Sequence, residues 1–230
     1  MALNLYRSCP GTIRGVLFDM DGLVLDTEGL YCRFWREAAQ SLGFPMTREQ
    51  ALGMRSLTRE AGQQRLWDWF GPEADYDAVR RVRIERMDAY VANHPVAAKP
   101  GIEELLDALD ELGIPKAIAS SSPHDRIRAY LTPLGLYHRF DQICSSRDVA
   151  HGKPAPDIYQ LAAARLGVPA ESCLALEDSP TGILSAYRAG CRCILVPDQD
   201  QPDSQTQSLL WAKADTLADV MELLPNGILS

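Results

Sequence analysis

Two aspartates stand one residue apart at the end of an apolar run: Gly15, Val16, Leu17 and Phe18 lead into Asp19, Met20, Asp21 and Gly22. An unpaired carboxylate at the end of a buried strand is costly or shifts its pKa. Such a pair is retained where a metal ion or phosphate chemistry needs it. Alternate strand residues point to one side, so both acids can face one reacting group if the backbone stays extended past Phe18. Gly22 supplies the sharp exit from the sheet. A turn rich in Asp and Gly is also common after a strand, so the pair needs company before it carries chemistry. Three further segments provide it. The apolar run 116–119 ends in Ser120, Ser121 and Ser122, whose hydroxyls and backbone N–H groups suit an anion near a helix N-terminus, although such serines often act only as caps. Lys153 sits on a stiff loop between Gly152 and the prolines Pro154 and Pro156; a lysine so placed is as a rule solvated. A last apolar run, 174–176, ends in Glu177 and Asp178, awkward neighbours unless a cation neutralises them. Together these supply a nucleophilic carboxylate, a second acid, hydroxyls, one ammonium and an acidic metal pair. Hard oxygen ligands with open positions favour Mg²⁺.

The elements that must position these groups are legible as an alternation. Strand candidates fall at 14–19, 115–120, 141–145, 172–177 and 192–196, each short and ending in polar or turn residues. Helices lie between them: Ile102, Leu105, Leu106, Leu109 and Leu112 share one stripe that stops at Gly113. Ser122-Pro123 and Ser179-Pro180 both read as an N-cap followed by proline at the first helical position. The pattern predicts an α/β fold, a Rossmann-like doubly wound parallel sheet, with the strand ends meeting where strand order reverses.

One stretch breaks the alternation. From about Glu28 to Ala97 there are only helix signals. Leu30, Phe34, Ala38 and Leu42 form one stripe ending at Gly43, Thr47 with Gln50 reads as a capping box, and Leu66, Trp69, Phe70 and then Val79, Val82, Met87, Tyr90, Val91 make further apolar faces. Trp67 and Trp69 read as core aromatics before a ligand platform. The expected organisation is a core begun by 1–27, an inserted α-helical cap over 28–97 placed as a lid, and the rest of the core over 98–230.

With 230 residues, 46% apolar and 23% charged, the chain is an ordinary globular protein. A net charge of −8 without a basic stripe speaks against nucleic acid as a partner. Six cysteines, at 9, 32, 144, 173, 191 and 193, lack zinc spacing, and Cys144, Cys173 and Cys193 read as reduced core thiols. No apolar leader and no membrane span stand out, so a cytoplasmic location with no membrane partner is expected. Positions 199–207 read as a polar surface loop.

These residues resemble the haloacid dehalogenase superfamily, in its branch with a small helical cap, similar to beta-phosphoglucomutases and sugar-phosphate phosphatases. The motifs occur in order: Asp19-x-Asp21-Gly22 with Asp26-Thr27 after it, Ser120, Lys153, and Glu177-Asp178. The resemblance implies that Asp19 attacks phosphorus and that Asp21 protonates the leaving alkoxide, then deprotonates water. It implies Mg²⁺ held by the Asp19 carboxylate, the Asp21 backbone carbonyl and Asp178, with Glu177 nearby or coordinating. Ser120 and Lys153 would hold phosphoryl oxygens, with Ser121 beside them. Arg55, between two cap helices, is either a contact for a second phosphate or polar sugar, or a solvated arginine. The expected substrate is a small phosphorylated metabolite. Two alternatives stand: a phosphosugar mutase, against which Tyr31 occupies the position where beta-phosphoglucomutases carry a histidine, and a receiver-like signalling domain, against which Asp21 supplies an acid that such a domain does not need.

Overall fold

Leu17 and Phe18 are both fully buried although neighbouring strand residues face opposite ways, so the sheet they belong to is covered on both sides. A computed structural model describes residues 3–6, 12–55, 57–198 and 202–222; Cys9, Ser56 and positions 199–201 lie outside them. Seven strands form one sheet: β1 (Leu3–Leu5), β2 (Gly15–Phe18), β3 (Lys116–Ser120), β4 (Gln142–Ser145), β5 (Cys173–Glu177), β6 (Arg192–Leu195) and β7 (Ala212–Ala214). Their order is β1-β7-β6-β5-β2-β3-β4, parallel throughout except for the antiparallel pair of β1 with β7. After β2 the chain builds outward through β3 and β4, then returns to the far side of β2 to place β5. The order therefore reverses at β2, where ligands of such sheets gather beyond the strand ends.

Each of the five expected strands forms, trimmed by a residue or so. The strands β1 and β7 carry three residues each, too few for alternation to register. Positions 204–207, expected as part of a loop, belong to a helix, Ser204–Leu209: Asp203 accepts from Thr206 N at 2.7 Å and caps it. A polar six-residue helix without an apolar stripe gives no periodic signal.

One face of the sheet packs Leu17, Ala117, Ala175 and Cys193 against Ile158, Tyr159 and Ala162 of one helix and Ile183 and Ala186 of another. Burying each large apolar side chain contributes about 1.5–3 kcal/mol. Cys144, Cys173, Cys191 and Cys193 are buried free thiols, as core placement requires.

The chain divides between Asp26 and Thr27 and between Val96 and Ala97 into the sheet unit and a helical unit, Thr27–Val96. The helical unit holds α1 (Glu28–Ser41), α2 (Arg48–Leu52), α3 (Arg59–Phe70) and α4 (Tyr76–Val91). Trp35, Ala38, Leu66, Tyr76 and Val79 form its centre. Gly62 is the residue that lets α3 approach Tyr76, since a Cβ there would overlap the ring. The Thr47 capping box is present, with Gln50 N donating to Thr47 Oγ1 at 3.2 Å and Thr47 N to Gln50 Oε1 at 2.8 Å. Leu42 departs from its expected stripe: α1 ends at Ser41, which leaves Leu42 39% exposed at the C-cap. Trp69 packs against Phe70, whereas Trp67 is exposed.

Within the sheet unit the two connections to that insert are tied together. Asp26 N donates to Ala97 O and Lys99 N to Val24 O, both at 2.9 Å, and the Lys99 ammonium pairs with Asp198 at 2.6 Å and Asp26 at 3.4 Å. The remaining helices are α5 (Ile102–Glu111), α6 (His124–Leu131), α7 (Asp157–Leu166), α8 (Pro180–Ala189), α9 (Ser204–Leu209) and α10 (Leu217–Met221). Among the described residues no helix is long and apolar enough to cross a membrane.

Candidate active site

Register brings the motif residues together. Phe18 pairs with Ile118 of β3 and Leu176 of β5, so Asp19, Ser120 and Glu177 emerge at the same ends of three adjacent strands. Asp19 N still donates to Leu176 O at 3.1 Å, which holds the aspartate in line with the sheet. Gly22, at φ +87°, then turns the chain back through hydrogen bonds from Val24 N and Leu25 N to Met20 O.

Lys153 reaches this point from the loop after β4. Its side chain is 6% exposed, and its Nζ donates to Asp19 Oδ1 at 2.5 Å and Glu177 Oε1 at 2.6 Å. The solvated lysine that a stiff Gly-Pro loop suggests is thus overturned: two buried carboxylates draw it inward. Tyr159 of α7 donates its hydroxyl to Glu177 Oε1 at 2.6 Å, and its ring lies 4.9 Å from the Lys153 ammonium. Ser179 completes the cage, donating from Oγ to Glu177 Oε2 at 3.2 Å and accepting from Gly182 N at 3.1 Å as the N-cap of α8. A side chain at Gly182 would overlap the Glu177 carboxylate, so glycine is required there for the cage to close.

Burial pushes the Asp19 carboxyl up to about 8, with the Glu177 and Asp21 carboxylates adding to the rise and Lys153 opposing it. Burial disfavours the Lys153 charge, yet Asp19 and Glu177 more than offset it, and the pKa lies above that of an ordinary lysine. The ammonium therefore stays charged, and the raised Asp19 value means that Lys153 alone does not stabilise a negative charge on that carboxyl. Asp19, Glu177 and Asp178 offer carboxylate oxygens all within 4.8 Å of one another. Crowded hard oxygens with excess negative charge fit a divalent cation of the Mg²⁺ class.

A haloacid dehalogenase-like hydrolase model matches residues 13–190, spanning β2, the helical unit, β3, β4, β5 and α8. The chain belongs to this hydrolase family. Hexitol phosphatase B of Escherichia coli (strain K12) is 31% identical over 226 residues, 96% of this chain and 99% of that protein. Protein CbbY of Cereibacter sphaeroides is 33% identical over 216 residues, 90% of this chain and 92% of that one. A crystal structure of CbbY from Rhodobacter sphaeroides with xylulose-1,5-bisphosphate superposes with a TM-score of 0.73 at 29% identity, covering 90% of this chain and 96% of that chain. The protein is accordingly an enzyme of the haloacid dehalogenase-like hydrolases, and the receiver-domain alternative falls away.

Other residues singled out in this hydrolase take varied places. Asp21 stands outside the carboxylate triad and accepts from Ser122 Oγ at 3.1 Å. Ser120 is fully buried, and its Oγ accepts from Ser122 N at 3.0 Å; Ser121 is exposed. Ser122 is not the helix cap its Pro neighbour suggests: α6 starts one residue later, with Pro123 at the N-cap and no side-chain cap bond. Its hydroxyl is taken by Asp21 instead. Arg55 belongs to the helical unit, where its guanidinium meets Glu28 at 3.4 Å and donates from Nε to Leu52 O at 2.9 Å. Tyr159, Ser179 and Gly182 were not foreseeable as site residues. Tyr159 looks like one more apolar position of α7, and only a tertiary contact with Glu177 reveals its hydroxyl.

Proposed function

We propose that this hydrolase is a Mg²⁺-dependent phosphatase that cleaves small, sugar-phosphate-like metabolites through an aspartyl phosphate on Asp19. The observation that carries this reading is the buried ammonium of Lys153 shared between Asp19 and Glu177, beside the acidic set that fits a cation. In the first step an Asp19 oxygen attacks phosphorus while the bond to the leaving oxygen breaks. That oxygen takes a proton from Asp21 and departs as an alcohol. A water molecule then attacks the same phosphorus, gives its proton to Asp21, and frees Asp19 and inorganic phosphate.

Asp19, Asp178 and the Asp21 backbone carbonyl are the proposed ligands of Mg²⁺, with Glu177 beside them. The bound cation supplies charge stabilisation for the phosphoryl oxygens. Lys153 and the Ser120 hydroxyl, with Ser121 nearby, hold the same oxygens in this reading. General acid help contributes ~10²–10⁴ of an acceleration that can reach ~10²¹ for phosphate monoesters, so charge complementarity and positioning carry most of the rest.

The substrate class follows from relatives named for hexitol phosphates and from a neighbour holding a sugar bisphosphate. The helical unit is proposed as the cap that selects among such metabolites, with Arg55 as a contact for a second phosphate or a polar sugar. Against the mutase alternative, Tyr31 offers no imidazole; its ring lies 4.9 Å from the Arg83 guanidinium within the helical unit. A phosphate-release screen over sugar phosphates, polyol phosphates and nucleotides tests the reading. Turnover of sugar or polyol phosphates in Mg²⁺ is expected; interconversion of glucose 1-phosphate isomers without net phosphate release would overturn it in favour of the mutase.

A further inference from the structure

Ser122 has a hydroxyl with no local task. It is 5% exposed, it does not cap α6, and it reaches across 101 residues of sequence to donate to Asp21 Oδ2 at 3.1 Å. Both flanks of this contact are fixed. Ser122 N donates to Ser120 Oγ at 3.0 Å, and Ser122 O accepts from Ser145 Oγ at 2.8 Å. Ser145 is itself fully buried, with its Oγ accepting from Arg147 N at 3.2 Å and its N donating to Asp148 Oδ2 at 3.1 Å. The turn 120–122 is therefore pinned from β4, and the Ser122 hydroxyl is presented to Asp21 from a rigid support.

We infer that Ser122 is a positioning residue that sets the side-chain orientation of Asp21 for proton transfer to the leaving oxygen. The inference rests on the reading of Asp21 as the acid of the first step. A hydroxyl that donates to Oδ2 from a pinned turn restrains the rotation of the Asp21 carboxyl. The same turn assigns Ser120 its direction: with an Oγ lone pair occupied by Ser122 N, its own O–H points away from that N–H and is available to a phosphoryl oxygen. One three-residue turn thus orients both the acid and a phosphate donor, and Ser122 is the residue that couples them.

The measurement is the dependence of kcat/KM on leaving group for the Mg²⁺-loaded enzyme, comparing an alkyl phosphate with p-nitrophenyl phosphate. kcat/KM reports the step in which the leaving group departs, and an aryl oxide departs without a proton whereas an alkoxide does not. Ser122→Ala is expected to lower kcat/KM for the alkyl ester about ten- to hundredfold and to leave the aryl ester within about twofold. Ser122→Thr, which keeps the hydroxyl, is expected to restore most of the loss. In an Asp21→Asn background, Ser122→Ala should add nothing further. Equal losses on both esters, no loss on either, or no rescue by threonine would overturn the inference. Asp21→Asn measured alone separates it from the underlying reading: if that variant shows no leaving-group dependence, Asp21 is not the acid, whereas a dependence in Asp21→Asn that is absent from Ser122→Ala removes only the role given to Ser122. Melting temperatures of each variant show whether the fold is intact.

Discussion

Asp19 is a carboxylate whose surroundings resist its charge. Burial and two acidic neighbours push it up to about 8, and Lys153 at 2.5 Å opposes that rise without cancelling it. Replacing it by Asn removes the nucleophile and relieves that repulsion together. Asp19→Asn should therefore cut phosphate release by at least about 10³-fold while leaving the melting temperature unchanged or higher, as a turnover assay and a thermal melt will show. Retained activity would reassign the nucleophile. At this scale the acids stand out in the sequence, because paired carboxylates at strand ends are costly and so conspicuous, and the structure brings Asp19, Glu177 and Asp178 together with Asp21 outside the set. The sequence was a poor guide to their partners. Ser122 reads as a cap and Tyr159 as core, and Lys153 is singled out by the motif order and not by its loop, since each takes its role from a contact made across more than one element.

At the scale of elements, the five strands β2 to β6 and α5 were legible because each offers a periodic or continuous apolar run. The three-residue strands β1 and β7 and the polar helix α9 were not, because none is long or apolar enough to carry a pattern. Glycine positions separate packing from propensity. Gly182 of α8 lies against Glu177, so Gly182→Ala must displace that carboxylate; it should cost about 1–3 kcal/mol and at least tenfold in turnover, roughly the loss expected when a catalytic charge moves. Gly29 of α1 has nothing within 4 Å of an added Cβ, and Gly29→Ala should stabilise by about 0.5–1 kcal/mol. Denaturant melts of the two variants should move in opposite directions. The loop after β4 gives a pH test. Burial alone would raise the Asp148 pKa, but His124 at 2.9 Å, Ser145 N at 3.1 Å and Arg165 at 3.1 Å together hold it below the ordinary 3.8. A carboxylate with a lowered folded pKa contributes stability above its unfolded value and loses it as pH falls through the folded one. Asp148→Asn should thus cost about 1 kcal/mol near neutrality, and its deficit against the parent protein should shrink below pH 3.8. A deficit that persists in acid would mean that Asp148 acts through packing and not charge.

At the scale of the whole molecule, a parallel sheet with its order reversing at β2 gathers the ends of β2, β3 and β5 and the Lys153 loop into one acidic crevice. The fold class was readable from the alternation of runs, and the helical insert from its interruption; the identity of the phosphorylated metabolite was not, because selectivity depends on side chains that a linear pattern does not bring together. Charge balance over the crevice makes a metal prediction: EDTA should abolish phosphate release, and Mg²⁺ should restore it, whereas chelator-resistant turnover would remove Asp178 from its proposed role. The most direct test of the reaction itself is an acid quench of the Asp21→Asn enzyme during its reaction with p-nitrophenyl phosphate in Mg²⁺, whose leaving group needs no proton, followed by peptide mass spectrometry. The peptide containing Asp19 should gain one phosphoryl group, absent in Asp19→Asn; phosphate released while that peptide stays unmodified would contradict covalent catalysis by Asp19.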